Sequence, residues 1–356
     1  MTNTQDYFAS ANSADGFVSY FGEVFNPKEL TRIYIIKGGS GCGKSRLIVD
    51  IGHAANRKGL SIERYYCSSD TSSLDGLIIP SLNTAVIDGT SPHAIEAQYP
   101  GACETIINLM QFMDKDFLGT HKDEIMRLTD SKTALYKTAY RYLSATDNIQ
   151  MTINELCNKA YLADKARSSQ ERLSNDICAS LKGIESPNVV QHKYISSISH
   201  KGYTRLTTLY SICDNIISIS NNYNTGYRYI TDLWTLLSER KINAYIFPTP
   251  LNRNIIEAIY MPDVKIGIIV EDKSIEHDKI VKHINTDRFT DKHIMKSNRQ
   301  KLRFAAQCSD IMLENASESL CEAFELHLEL EEIYKASMDF AAKEQYAAEL
   351  TSGIFG

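Results

Sequence analysis

A glycine-rich stretch that joins an apolar strand to a helix constrains this chain more than any other feature of its sequence. The stretch reads Gly38-Gly39-Ser40-Gly41-Cys42-Gly43-Lys44-Ser45, which is the G-x-x-x-x-G-K-S pattern of a phosphate-binding loop. An apolar run at 33–36 precedes it, and an apolar helical pattern at 46–51 follows it. Strand, glycine loop and helix in this order form the context in which the pattern predicts a phosphate site.

The residue types of this loop suit a nucleotide polyphosphate with Mg²⁺. Glycines let the backbone fold around a phosphate and point N–H groups at it, and the following helix directs its positive dipole end at the same oxygens. Lys44 is placed to reach the β- and γ-phosphates, and Ser45 is placed to give a hydroxyl to Mg²⁺. We therefore predict that residues 38–45 bind the nucleotide and that Ser45 is a metal ligand.

Three aspartates are candidates for the same site. Asp88 ends an apolar strand, where it would hold Mg²⁺ directly or through water; the alternative is an acid that caps an Asp-Gly turn. Asp70 follows another strand, with Asp75 nearby, and either carboxylate is a candidate general base. Capping of a polar turn is an equally weighted alternative for these two. His93 is a further candidate for phosphate or acceptor contact.

The second half of the chain repeats the pattern of the first. An apolar strand at 215–219 is followed by residues 221–228 at the position of the glycine loop, and 256–262 matches 74–80. The offset is 183 residues at the loop and 182 at the later proline, so one single-residue indel separates the copies. A repeat of this length predicts two units of the same build.

The second copy lacks the chemistry of the first. Tyr227 and Arg228 stand in place of Lys44 and Ser45, and the Asp88 position holds a valine. We infer that the C-terminal half keeps the fold and has lost the site. The alternative is that Arg228 and the asparagines of 221–224 bind another anion, because asparagine tolerates positive φ and arginine pairs with phosphate.

The motifs resemble those of the P-loop NTPases and are similar, more narrowly, to a little-characterised bacterial family of tandem P-loop ATPase or nucleotide-kinase-like proteins. The resemblance depends on the loop with Lys37 and on these further segments: Cys67-Ser68-Ser69-Asp70 with Leu74-Asp75-Gly76, Ile79-Pro80, Asp88-Gly89-Thr90-Ser91-Pro92-His93 and Tyr99-Pro100-Gly101-Ala102. It covers most of the chain, because the family is similarly duplicated. Its members usually show the loop in both halves, so the degenerate second loop departs from the pattern.

These features predict an α/β protein of two tandem P-loop NTPase-like units, each a mostly parallel sheet flanked by helices and followed by a helical segment. Residues 1–183 are the predicted nucleotide-binding domain, with a helical segment at about 103–181. Residues 184–200 are a predicted linker, and 201–356 a degenerate domain with a helical C-terminal segment. Residues 1–30 are predicted to form a lead-in helix.

Composition excludes several classes of protein. The net charge of −6 gives no global basic field for nucleic acid, and no apolar run approaches the roughly 20 residues that span a bilayer. The eight cysteines are scattered without metal-binding spacing, and the polar N-terminus has no signal-peptide pattern. We expect a reduced, cytoplasmic protein in which an oxidant or alkylator at Cys42 would block nucleotide binding.

Three functions remain open from the sequence. The first is an ATPase that uses Mg-ATP in the N-terminal half beside a catalytically dead C-terminal half; ATP is favoured because no N-K-x-D guanine motif is present. The second is a small-molecule or nucleotide kinase, with Asp70 or Asp75 orienting the acceptor. The third is a non-catalytic nucleotide-sensing scaffold whose C-terminal half docks a protein partner. Candidate arginine fingers in the helical segment are Arg127, Arg141 and Arg172.

Overall fold

Two six-stranded sheets with helices on their faces organise this protein. The computed structural model describes residues 4–92, 94–184, 187–271 and 277–355. Each sheet is mostly parallel, with one strand running against its neighbours. The prediction of an α/β protein with two mostly parallel sheets flanked by helices is therefore confirmed.

The strands of the first half build one sheet and one hairpin. In the described residues they are β1 (Thr4–Phe8), β2 (Ser10–Ser13), β3 (Gly16–Ser19), β4 (Arg32–Lys37), β5 (Ile62–Tyr66), β6 (Leu74–Ile79), β7 (Thr84–Asp88) and β8 (Glu104–Asn108). The sheet has the order β1-β5-β6-β7-β4-β8, with β6 antiparallel, while β2 and β3 pair only with each other. The buried strands β4, β6 and β7 are rich in Ile, Leu and Val, as expected for a sheet covered on both faces.

The second half repeats this arrangement. Its described strands are β9 (Val190–His192), β10 (Ser196–Ser199), β11 (Gly202–Arg205), β12 (Asn215–Ser220), β13 (Ala244–Pro248), β14 (Ile256–Met261), β15 (Ile266–Glu271) and β16 (Ile280–Ile284). The sheet order is β9-β13-β14-β15-β12-β16, with β14 antiparallel and β10–β11 as the separate hairpin. Strand for strand this is the order of the first sheet, with β12 in the place of β4.

The helices differ widely in length. They are α1 (Phe21–Val24), α2 (Lys44–Arg57), α3 (Lys115–Thr120), α4 (Lys122–Ala160), α5 (Ala163–Ser180), α6 (Thr208–Ile212), α7 (Thr225–Ser238), α8 (Lys292–Ala336) and α9 (Phe340–Phe355), with short 3-10 turns at Pro80–Leu82, Leu109–Phe112 and Thr286–Phe289. In α2 the buried residues recur every three or four positions, and Lys58 and Gly59 end it, with Gly59 at φ +77°.

The two long helices α4 and α8 pack against each other in antiparallel orientation. Gln150 Nε2 donates to Ser309 Oγ at 2.7 Å near one end, and Lys132 Nζ lies 3.5 Å from His327 Nδ1 near the other. The 39 residues of α4 span roughly 58 Å at 1.5 Å per residue. The pair therefore reaches across both halves of the molecule.

Each long helix carries the short helix that follows it onto the opposite half. On the second sheet, α5 packs against α7, with Gln170 Nε2 donating to the Tyr229 carbonyl at 3.0 Å. On the first sheet, α9 packs against α2, and Ile354 joins the core formed by Leu47 and Ile51. The halves have thus exchanged their C-terminal helices, a reciprocal arrangement typical of swapped pairs.

The halves also meet along β1 and the segment after β9. Phe8 and Tyr194 exchange two backbone hydrogen bonds of 2.8 Å. Beside them Lys193, only 1% exposed, lies 2.8 Å from Glu63 of the first half. Its ammonium is 4.6, 5.6 and 4.3 Å from the ring centres of Tyr7, Tyr65 and Tyr245. An ion pair inside an aromatic cage therefore joins the halves.

Several predicted segments differ from the structure. Over the described residues 4–30, the predicted helix is wrong except at the short α1. Tyr7 and Phe8 enter the core from β1, and the Asp15-Gly16 turn, with Gly16 at φ +91°, closes the β2–β3 hairpin. Residues 104–108, placed in the helical segment, form β8 on the edge of β4. Residues 190–199, placed in the linker, hold β9 and β10.

Candidate functional site

The glycine loop, residues 38–45, joins β4 to α2 at the carboxyl edge of the first sheet. Gly41 and Gly43 have φ of +70° and +82°, in the left-handed region that glycine adopts without steric cost. Gly43 is the N-cap residue of α2, which has 14 residues. The loop therefore ends at the positive pole of a full-length helix, where an anion is favoured.

The end of α8 packs directly on this loop. A Cβ on Gly39 would lie 2.9 Å from the ring of Tyr334, and one on Gly41 would lie 2.8 Å from the carbonyl oxygen of Glu331. Larger residues at either position would push α8 away or distort the loop. The shape of the first-half loop thus depends on a helix that begins in the second half.

Lys44 and Asp88 come together at the mouth of the loop. Lys44 Nζ donates to the carbonyl oxygens of Gly38 and Gly39, at 3.3 and 2.8 Å, and lies 3.6 Å from Asp88 Oδ2. The β4–β7 register, which pairs Ile36 with Asp88, sets this approach. The two side chains are only 12% and 15% exposed, so water and salt screen their attraction less than that of a surface pair.

The second oxygen of Asp88 holds its own turn. Oδ1 accepts from the backbone N–H of Thr90 at 2.9 Å and from its hydroxyl at 2.6 Å. Oδ1 of Asp88 therefore caps the turn, as in the alternative role, while Oδ2 faces Lys44. Among the residues that the structure describes, no three His, Cys, Asp or Glu side chains form a metal-holding group. One carboxylate and the Ser45 hydroxyl fit a magnesium ion that is held mainly by phosphate and water.

Ser45 links the loop to β6. Its Oγ accepts from the backbone N–H of Leu74 at 2.9 Å. Asp75, the next residue in β6, is 6% exposed, and the β6–β7 register pairs its neighbour Gly76 with Ile87, the residue before Asp88. Asp75 is thus a buried carboxylate next to the residues predicted to hold Mg²⁺.

Asp70 lies further away, in the turn after β5. Its Oδ1 accepts from the backbone N–H of Ser72 at 3.0 Å and from the Ser72 hydroxyl at 2.6 Å, which are the contacts of a turn cap. Tyr136 of α4, a residue that the sequence did not single out, faces the same region. Burial raises the pKa of Tyr136 to about 12, and the nearby carboxylates of Asp75 and Asp70 add to the rise.

Charged side chains from α4 and α8 surround the loop, and no local sequence pattern marked them. Glu331 lies 3.4 Å from His327 Nε2 and 3.0 Å from Lys335 Nζ. The hydrogen bond to His327, with that to Lys335, holds the pKa of Glu331 at about 2. Lys132 stands near Lys44, and burial followed by the charge of Lys44 lowers the pKa of Lys132.

No contact described in the structure joins the predicted arginine fingers to the loop. Arg127 and Arg141 are exposed on α4, and Arg172 lies on α5, where it donates to the Ser168 carbonyl at 3.1 Å. The cations beside the glycine loop are lysines of α4, α8 and α9 instead. His93 lies outside the described residues.

Cys42 is fully buried inside the loop. Burial raises the pKa of its thiol, which leaves little reactive thiolate at neutral pH. Contrary to the expectation from its position, we predict that N-ethylmaleimide leaves Cys42 unmodified in the folded protein and labels it in urea. Peptide mass spectrometry measures the labelling. Equal labelling rates in the folded and unfolded protein would contradict the prediction.

The second loop, residues 221–228, lies between β12 and α7, and side chains of the protein close it. Asn224 takes the left-handed conformation of Gly41, with φ +65°. Its Nδ2 donates to Gln150 at 2.7 Å and Asn154 at 2.8 Å. The N–H of Gly226 donates to the Asn221 side chain at 3.1 Å. The donors that would bind an anion are thus engaged within the protein.

Arg228 is engaged in the same way. It donates to Asn158 Oδ1, lies 3.6 Å from Asp232 and covers the ring of Tyr161 at 4.4 Å. A cavity of about 250 Å³ adjoins these residues. These contacts occupy the Arg228 guanidinium, which is the group that a second anion site would need.

Comparison with protein-family models, with curated proteins and with solved structures found no match to this chain. The family resemblance of the motifs therefore stays a prediction. Of the helices in the described residues, none has both the length and the apolar character needed to cross a membrane.

Proposed function

We propose that the N-terminal half binds ATP with Mg²⁺ at the glycine loop and hydrolyses it, and that the C-terminal half is catalytically dead. The observation that carries this proposal is the 3.6 Å approach of Lys44 to Asp88 beside two left-handed glycines. A lysine at the terminal phosphates and an acid on the metal side are the charged parts that phosphoryl chemistry at such a loop uses.

Each residue of the site has a role in this proposal. The loop N–H groups and Lys44 bind the phosphates, and Ser45 with Asp88 holds Mg²⁺ directly or through water. When bound, the metal would supply charge neutralisation for the terminal phosphates. Asp75, buried beside Asp88, is the carboxylate best placed to orient the attacking water.

The C-terminal half serves as a scaffold in this proposal. Val270 stands where the first half has Asp88. Arg205 Nη1 donates to the Val270 carbonyl at 2.8 Å, so the guanidinium of Arg205 lies at that end of the strand. This half supports the first site through α8 and α9 and offers its outer surface to a protein partner. The proposed location of the protein is the reducing cytoplasm.

The test is ATP binding and turnover by the wild-type chain and by Lys44→Ala. We expect calorimetry to show Mg-ATP binding that weakens about 10- to 100-fold in the variant, because one or two charge-assisted hydrogen bonds are lost. Phosphate release should fall with it. Lys165→Ala, an exposed lysine of α5, is the matched control. Normal ATP binding by Lys44→Ala would remove the site assignment.

The same experiment separates the other functions. Transfer of labelled phosphate to a small-molecule or nucleotide acceptor, well above transfer to water, would replace the ATPase with a kinase in which Asp75 faces the acceptor. Tight ATP binding without turnover under any condition would support the nucleotide-sensing scaffold.

A further inference from the structure

An open cleft of about 760 Å³ lies between α2 and α9, next to the glycine loop. Gly43 and Arg46 line it from the loop side, and Phe340, Lys343 and Ala348 line it from α9. Its volume is within the range of small-molecule sites. One wall therefore belongs to the first half and the other to the exchanged helix of the second half.

Lys343 is the most unusual side chain of this cleft. It is 3% exposed, and its Nζ lies 3.1 Å from the position that a Cβ on Gly43 would take. In the described parts of the chain, its ammonium has no hydrogen bond and no ion pair. A buried lysine is costly without a partner, so the ammonium is poised beside the last glycine of the loop for an anionic ligand.

The position of the cleft fixes the direction of a bound nucleotide. Lys44 and Asp88 mark the end that holds the terminal phosphates and Mg²⁺, and neither lines the cleft. The nucleoside end of a nucleotide bound at the loop would therefore leave the loop on a side away from Lys44 and Asp88. Gly43 and Arg46, at the start of α2, border both the loop and the cleft.

On the basis of the proposed ATP site, we propose that the nucleoside of the bound nucleotide lies in the cleft between α2 and α9. Lys343 contacts the phosphates that connect the loop to the nucleoside. Phe340, 39% exposed at the first residue of α9, stacks on the base. The exchanged helix of the second half thereby recognises the ligand of the first.

The charges around the cleft agree with this assignment. Arg46, Arg57 and Lys343 are positive, and Asp50 and Glu344 are negative, so the lining has a net charge of one positive unit. Asp50 pairs with Arg46 at 3.1 Å, which leaves the buried Lys343 as the main cation facing Gly43. An anionic chain that emerges from the loop meets a compatible surface.

The test compares two ligands, ATP and inorganic triphosphate, each titrated with Mg²⁺ into the full chain by calorimetry. Phe340→Ala and Ala348→Trp should weaken ATP binding about 5- to 100-fold, through lost stacking and an obstructed cleft. Both should leave triphosphate affinity changed by less than about twofold. Lys343→Met should weaken both ligands about tenfold or more. Ala341→Trp, exposed on α9 outside the cleft, should change neither.

The outcomes separate this inference from the proposed function. If Phe340→Ala and Ala348→Trp bind ATP as the wild type does, while Lys44→Ala loses binding, the loop assignment stands and the nucleoside lies elsewhere. If Ala348→Trp weakens ATP and triphosphate equally, the cleft is part of the phosphate site and the inference is wrong. If the wild type binds neither ligand, the proposed function itself has failed. Thermal melting confirms that each variant is folded.

Discussion

Lys193→Ala is expected to lower the free energy of unfolding by about 3–5 kcal/mol, because it leaves the largely buried carboxylate of Glu63 without its cationic partner. Burial alone would raise the pKa of Glu63, but the charge and hydrogen bond of Lys193 hold it below its usual value. The variant also removes the cation from a cage of three tyrosine rings. Denaturation in urea, followed by circular dichroism at pH 7, measures the loss.

Two comparisons sharpen this prediction. Glu63→Gln combined with Lys193→Met should cost less than Lys193→Ala, since no unpaired charge stays buried. Arg167→Ala, which breaks an exposed pair on α5 with both partners more than half exposed, should cost less than about 1 kcal/mol. A Lys193→Ala midpoint equal to that of the wild type would contradict the role of the pair.

The defect of Lys193→Ala should also shrink in acid. In the wild type the lowered pKa of Glu63 contributes stability above the unfolded pKa, and this stability is lost as pH falls through the folded pKa. In the variant only the hydrogen bond from the Tyr65 hydroxyl still favours the charged form of Glu63 against burial, so protonation relieves the unpaired charge. The two proteins should therefore differ more at pH 7 than at pH 4.

Asp88→Asn is expected to reduce Mg²⁺-dependent ATP turnover about 10²- to 10³-fold, the usual effect of removing one preorganised electrostatic group from a phosphoryl or acyl-transfer site. The amide keeps the size of the side chain and an oxygen for the bonds from Thr90. It loses the negative charge that faces Lys44 and that, in the proposed function, would face Mg²⁺. Single-turnover hydrolysis over a range of Mg²⁺ concentrations measures the effect.

Binding without metal distinguishes this effect from misfolding. ATP affinity in EDTA should be unchanged or increased in Asp88→Asn, because a negative charge near the phosphates is gone. Asp310→Asn, an equal change of charge at an exposed position of α8, should leave turnover as in the wild type. Full turnover by Asp88→Asn would show that another group holds the metal.

Local sequence patterns predicted the centre of the candidate site. The loop glycines, Lys44 and Asp88 lie within one strand–loop–helix unit and its neighbouring strand, so spacing and strand ends were enough to bring them together. The register of β4 with β7 then produced the 3.6 Å approach. The second sheet was predictable for the same reason, because its pattern repeats that of the first at an offset of 183 residues, or 182 after the indel.

Contacts between segments that are distant in the chain could not be predicted from local sequence patterns. Lys343 looks like any solvated helix lysine in the sequence, and only the return of α9 to α2 buries it beside Gly43. The sequence pattern indicates a helix at β1, because polar neighbours surround the two aromatic residues that enter the core. Local sequence offered no reason to prefer Asp70 or Asp75 as the general base. In the structure, Asp75 is buried in β6, while Asp70 caps its own turn.

The packing of α8 and α9 on the glycine loop has a consequence for biosynthesis. The loop leaves the ribosome early, but residues 327–343, which cover it, are made about 300 residues later, roughly 15–60 s at ordinary rates of translation. A nascent or prematurely terminated chain would therefore present a loop without Tyr334, Glu331 and Lys343. If the chain has the proposed function, interrupted translation would yield fragments that hold nucleotide poorly and turn over little ATP.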